Sequence, residues 1–122
     1  MLRLVVLASV AALASCADDG VGVAPLMGWR DWNQYGGDIT QDIMISTMLA
    51  VAAHFPGTNV SLASLGFRDV GLDDVWQQCG SYGPMNWTYH DASGNPVVDT
   101  ARFPNMSALP ATAHALGLTA GF

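Results

Sequence analysis

Three short apolar runs, separated from one another by several dozen residues, constrain the fold of this chain more than any other feature. Leu26-Met27-Gly28-Trp29 follows Pro25 and reads as a strand; Phe67 to Leu72 follows Leu65-Gly66 and reads as a second; Leu118 to Phe122 starts a third. Strands so far apart cannot be hairpin partners. They are expected to pair in parallel through right-handed crossovers, and the intervening sequence supplies the helices. Thr40 or Asp38 can cap a helix that begins near Gln41, in which Ile43, Met44, Thr47, Met48, Val51 and Ala52 recur at helical spacing. His54-Phe55-Pro56-Gly57 ends it. Ser107 to Leu116 predicts another, with Leu109, Ala113 and Leu116 inward and Gly117 closing its C-terminus. Between them, Val75 to Pro104 is rich in Gly, Pro, Asn and aromatic residues, a long loop with a hairpin around Ser93-Gly94-Asn95. The order β, α, β, loop, α, β defines an α/β class. A parallel sheet needs cover on both faces and strands on both sides, so part of a domain is expected.

Composition narrows the partners. The 122 residues are 51% apolar and 11% charged, with ten Asp, four Arg and neither Glu nor Lys, for a net charge of −6. No basic face exists to neutralise phosphates, which excludes nucleic acid as a partner. Residues 1–17 read as a secretory signal: Arg3 gives the charge, Leu4 to Leu13 the apolar region, and Ser15-Cys16-Ala17 the cleavage site. Leu13-Ala14-Ser15-Cys16 also fits a lipoprotein signal. Sequons at Asn59, Asn86 and Asn105 favour a glycosylated protein that is secreted or delivered to a lysosomal or vacuolar lumen. No later stretch is long enough to span a bilayer, so no membrane contact is expected after cleavage. Residues 18–122 read as one unit, whose single cysteine, Cys79, is either a buried thiol or half of a disulfide.

The sharpest chemical signal is Asp73-Asp74 at the end of the second strand, because α/β folds bind ligands at the carboxyl ends of parallel strands. A regular pleat points only one of two neighbours inward; the bland alternative is a solvated turn. Four tryptophans offer flat apolar platforms for sugar C–H faces. Trp32 and Trp76 adjoin strand ends and suit a cleft, Trp29 suits the core, and Trp87 lies inside a sequon. His54, His90 and His114 have no ligand spacing, so no metal is expected, and no phosphate-binding loop or serine-nucleophile motif occurs, so no cofactor is implied.

Four blocks of residues resemble the α-galactosidases of glycoside hydrolase family 27. Pro25-Leu26-Met27-Gly28-Trp29-Arg30-Asp31-Trp32 is similar to the family's P-x-M-G-W-x-x-W strand, and Leu65-Gly66-Phe67 through Val70-Gly71-Leu72-Asp73-Asp74-Val75-Trp76 to L-G-Y-x-Y-V-x-I-D-D-C-W. Asp91-Ala92-Ser93-Gly94-Asn95, with Asp99 and Arg102-Phe103-Pro104, resembles D-S-x-G-N...D-x-x-R-F-P. His114-Ala115-Leu116-Gly117-Leu118 with Gly121 resembles H-x-x-G-L-K-x-G-I. The resemblance implies a (β/α)8, or TIM, barrel followed by a β-sandwich, of which this chain would hold the N-terminal part: about three strands and two helices.

The same resemblance implies the roles. Trp32 would pack against a terminal α-linked galactose, Asp73 and Asp74 would accept hydrogen bonds from its hydroxyls, and Trp76 would wall the pocket. The partner would be a galactose-containing oligosaccharide or glycoconjugate. Retaining hydrolysis needs two carboxyl groups about 5–5.5 Å apart, and in the family the nucleophile follows a K-x-D strand with the acid/base later still. This sequence has no Lys, so no catalytic residue is assigned and the chain alone is expected to be inactive. Three departures stand out. The family joins a cysteine after its first strand to the one in D-D-C-W, and the matching positions are Gly37 or nearby and Val75. The stretch His54 to Ser64 looks longer than usual, and Thr119 replaces the customary Lys. The alternatives are a non-catalytic relic, an incomplete gene model, an unrelated small secreted module, or α-N-acetylgalactosaminidase specificity in a complete protein.

Overall fold

A three-residue strand makes few ladder bonds, so three such strands form a sheet only where their backbones approach closely and one face is well covered. In the computed structural model, β1 (Gly28–Arg30), β2 (Asp69–Gly71) and β3 (Thr119–Gly121) form one parallel sheet in the order β1-β2-β3. The structure describes residues 20, 22–78, 89–91 and 93–122. The readings for 1–17, Cys79, Asn86 and Trp87 lie outside the described residues.

Pairing sets three rows across the sheet: Gly28, Asp69, Thr119; then Trp29, Val70, Ala120; then Arg30, Gly71, Gly121. Side chains alternate along a strand, so the middle row faces one side and the outer rows the other. The Thr119 hydroxyl donates to Asp69 Oδ1 on that outer-row face. The middle row meets the helices. There Val70 and Leu72 are buried with Ile39, Phe103 and Leu118 against Met44, Met48 and Val51 of α2 (Gln41–Ala52) and Leu109 and Ala113 of α3 (Ala108–Ala115). Each large side chain so buried contributes roughly 1.5–3 kcal/mol. Gly28 permits the close approach, since a Cβ there would lie 1.8 Å from the Asp69 carbonyl oxygen.

Local signals place both helices. The Thr40 hydroxyl accepts the Ile43 N–H at 3.3 Å, an N-cap worth about 1 kcal/mol. Met44, Met48 and Val51 then share the inner face. Helix α3 ends as its glycine predicts: Gly117, at φ +71°, donates to His114 C=O at 3.1 Å and Leu118 to Ala113 C=O at 2.8 Å. That pair of bonds is a Schellman closure, and it turns the chain directly into β3.

The strands are shorter than the apolar runs suggest. Leu26 and Met27 are exposed and precede β1, where the Met27 carbonyl takes the N–H groups of Arg68 and Asp69. Phe67 and Arg68 likewise precede β2, and Leu118 and Phe122 flank β3. Apolar character marks what is near the core, whereas a strand ends where its ladder partner ends. Two further pieces are a one-turn helix α1 (Trp32–Tyr35) and short 3-10 turns at Gly36–Asp38 and Ala63–Leu65. The stretch from His54 to Ser64 closes on itself: His54 pairs antiparallel with Ser61, and Ser61 and Ser64 each cap the other's N–H.

The expected hairpin is present in the long loop. Gln77 pairs with Val98 and His90 with Pro96, both antiparallel. At its tip Asp91 Oδ1 accepts the N–H groups of Ser93 and Asn95, and the Asn95 amide donates to Oδ2. The Asn95 bonds, backbone first and then side chain, hold this exposed carboxyl below the ordinary aspartate range.

Two outcomes follow from this packing. Gly28→Ala forces β1 off β2 and should abolish cooperative thermal unfolding of the chain, a result readable by circular dichroism. Because the Asp91 pKa is depressed in the folded state, its support is fully present above the ordinary aspartate value of 3.8 and is lost as pH falls through the lower folded value. Asn95 amide protection, followed by NMR in acid, should fall there while that of Leu72 persists.

Candidate functional site

The carboxyl ends of β1 and β2 gather four charged groups. Asp31, directly after β1, is fully buried, and its Oδ1 accepts the backbone N–H of Asp73 at 2.7 Å. Its own carbonyl accepts the N–H groups of Gln34 and Tyr35, which starts α1. Asp31 Oδ2 is buried and makes no hydrogen bond among the described residues. Arg30 Nη1 lies 3.6 Å from Asp73 Oδ2, with the two side chains 54% and 39% exposed. So loose and wet an ion pair adds at most about 1 kcal/mol. The Arg30 guanidinium also covers Gly71, where a Cβ would meet it at 3.0 Å.

Asp73 and Asp74 take different partners. Asp73 leans toward Arg30, while Asp74 is exposed and its Oδ1 accepts the N–H of Val75 at 2.7 Å. Asp73 Oδ1 and Asp74 Oδ2 make no hydrogen bond among the described residues, so each acid keeps one acceptor for a ligand. Val75 has φ +62°, a left-handed conformation costing a β-branched residue about 1–3 kcal/mol.

Trp32 opens α1 and is 47% exposed, next to Asp31 and therefore at the same end of the sheet as Asp73. Trp76 sits differently. It is partly buried against the core with its ring 6.2 Å from Phe122, and its carbonyl accepts the Asp99 N–H at 2.9 Å. Trp29 packs on the core side, edge-on to Tyr35 at 6.1 Å. Two cavities, of about 410 and 520 Å³, lie on the outer-row face of the sheet and beside α2. Neither is lined by Trp32, Asp73, Asp74 or Trp76. Asn59 and Asn105 occupy exposed turns, and the Ser107 hydroxyl donates to Asn105 Oδ1 at 2.7 Å. Among the described residues no three His, Cys, Asp or Glu side chains gather as a metal site, and no helix is long and apolar enough to cross a membrane.

Three residues matter here that sequence reasoning passed over as site residues: Arg30, Asp31 and Arg102. Arg102 bonds the Val75 carbonyl through Nη1 at 3.0 Å and the Gly37 and Ile39 carbonyls through Nη2. The available signal was scarcity: with four arginines and no lysine, each cation inside the unit is a candidate for a specific task.

Two adjacent acids at a strand end, each with an oxygen free of hydrogen bonds among the described residues, can accept hydrogen bonds from polar hydroxyls, and comparison with known proteins gives the class of relative. No family model matches the chain. It is 33% identical over 106 residues to an α-galactosidase of Cyamopsis tetragonoloba, covering 86% of this chain and 22% of that protein. It is 32% identical over 105 residues to one from Oryza sativa, covering 85% of this chain and 22% of the relative. In solved structures it matches α-galactosidase I of Mortierella vinacea with a TM-score of 0.68 at 29% identity, covering 86% of this chain and 23% of that one. It also matches the Saccharomyces cerevisiae α-galactosidase solved with raffinose, with a TM-score of 0.66 at 25% identity, covering 84% of this chain and 19% of that one. By sequence and by fold alike, the chain is a relative of the α-galactosidases. It spans about a fifth of the length of the relatives it matches.

Asp31→Ala removes the acceptor of the Asp73 N–H and leaves that part-buried donor without its partner, at a cost of about 1 kcal/mol. A lowered urea midpoint together with faster exchange of the Asp73 amide is the expected result.

Proposed function

We propose that this chain is the N-terminal portion of a (β/α)8 barrel of an α-galactosidase-like retaining glycoside hydrolase, and that it carries the sugar-contacting half of the site. The three parallel strands in the order β1-β2-β3 support the barrel reading, and the relatives support the substrate class. Asp73 and Asp74 accept hydrogen bonds from hydroxyls of a terminal α-linked galactose, and Trp32 packs against its apolar face. Trp76, anchored against the core, would serve as a wall of the pocket. One observation carries the reading: neighbouring carboxylates at a strand end, each keeping an unengaged oxygen, with an exposed indole at the same end of the sheet.

The two acids act as binding groups and not as the catalytic pair. Adjacent in sequence, they are tied to different local partners, Arg30 and Val75, which suits two hydroxyl contacts. A nucleophile and an acid/base facing each other across a glycosidic bond would need a different arrangement. Charged acceptors discriminate hydroxyl stereochemistry well, because a misplaced hydroxyl leaves an acceptor unpaired. Secretion through the segment 1–17, with glycans on Asn59, Asn86 and Asn105, belongs to the same reading.

The test is binding of methyl α-galactoside to the 122-residue chain, with methyl α-glucoside as the comparison. Preference for the galactoside is expected, and Asp73→Asn or Asp74→Asn should each weaken it about tenfold, the loss of one charge-assisted bond. Hydrolysis of an aryl α-galactoside should be undetectable. Equal affinity for both sugars, indifference to both substitutions, or turnover would each defeat the proposal.

A further inference from the structure

Val75 follows the two acids in a left-handed conformation that its branched side chain disfavours, so something outside the residue must hold it there. Both of its amide groups are engaged: the N–H by Asp74 Oδ1 at 2.7 Å and the carbonyl by Arg102 Nη1 at 3.0 Å. The second arm of the same guanidinium, Nη2, reaches the carbonyls of Gly37 and of Ile39, the latter at 2.6 Å, just beyond the short helix that Trp32 opens. Among the described residues no carboxylate pairs with Arg102; its partners are backbone carbonyls. The backbone of the same turn repeats the connection. Arg102 C=O accepts the Gln41 N–H at 3.0 Å, and the Asp99 N–H donates to Trp76 C=O at 2.9 Å.

We propose that Arg102 is a positioning residue: it fastens the segment after β1 to the segment after β2 and holds Val75 left-handed, which fixes the direction in which Asp74 presents its free oxygen. The functional meaning of that direction rests on reading Asp73 and Asp74 as sugar acceptors; the clamp itself does not. A planar fork is required, because one arm serves Val75 while the other serves Gly37 and Ile39, and a lysine ammonium offers no such fork.

The experiment is residue-resolved amide exchange on the 122-residue chain, on Arg102→Lys and Arg102→Gln, and on each combined with Val75→Gly. Each Arg102 variant should speed exchange at residue 75 by about tenfold while the Leu72 and Thr119 amides change by less than about threefold. Glycine takes a positive φ without help, so Val75→Gly should return residue 75 to near its original protection in the double variants. Unchanged exchange at residue 75, uniform acceleration across the sheet, or no rescue by glycine would overturn the assignment. Should Arg102→Gln fail to fold, recovery of folded protein in the double variant supports the clamp and continued failure overturns it. Methyl α-galactoside affinity, measured alongside, should fall in Arg102→Lys and recover with Val75→Gly; affinity that ignores the clamp while exchange responds overturns the positioning role. The local exchange pattern in a chain that binds no galactoside upholds the clamp and defeats the sugar reading alone.

Discussion

The bond from the Asp73 amide to the Asp31 carboxylate is the contact on which the site end of this molecule depends. Each strand offers only three residues to its neighbour, so the chain beyond β1 and β2 would diverge unless something tied the two together. Asp31 does so from a buried position, where a carboxylate is costly unless it receives hydrogen bonds. Its carbonyl launches α1 at the same time, so one residue sets both the height of Asp73 and the start of the helix bearing Trp32. Below this layer the Trp29, Val70, Ala120 row rests on the helices, which gives the polar layer a rigid base.

Much of the scaffold was legible because its signals are local. Thr40 and the Met44, Met48, Val51 spacing identify α2; Gly117 identifies the end of α3; Asp91 to Asn95 identifies the hairpin tip. Parallel pairing was legible for a topological reason, the distance along the chain between apolar runs. The strand limits were not, because Leu26, Met27 and Phe67 are as apolar as true strand residues yet have no ladder partner. Among the candidate site residues, Asp73, Asp74, Trp32 and Trp76 stand out in the sequence through their position at strand ends. Asp31 does not, since an Asp after an Arg reads as one more solvated charge, and its burial follows from the Asp73 N–H, forty-two residues away. Arg102 was visible as part of a motif, but its carbonyl partners belong to loops whose meeting no local pattern announces.

The two faces of the sheet divide the labour of the segment. The middle row is apolar and meets α2 and α3; the other side carries Gly28, Gly71 and Gly121 with Arg30, Asp69 and Thr119. Small residues there keep the surface low. Arg30 stands above it as the one bulky group, lying over Gly71 and pointing its charge toward Asp73. The strand ends therefore carry an excess of negative charge, three carboxylates to one guanidinium: the fully buried acid has an amide donor, Asp73 has Arg30 close by, and the exposed Asp74 accepts only the Val75 N–H.

The self-closed excursion between α2 and β2 carries a different lesson. Its serines satisfy each other and its ends meet at the His54 and Ser61 bridge, so its internal bonding makes few demands on the sheet. Such a module can lengthen, shorten or acquire a decoration during evolution without renegotiating the register of the strands. Change in length has a natural outlet there, away from the strand ends that carry Asp31, Asp73 and Asp74.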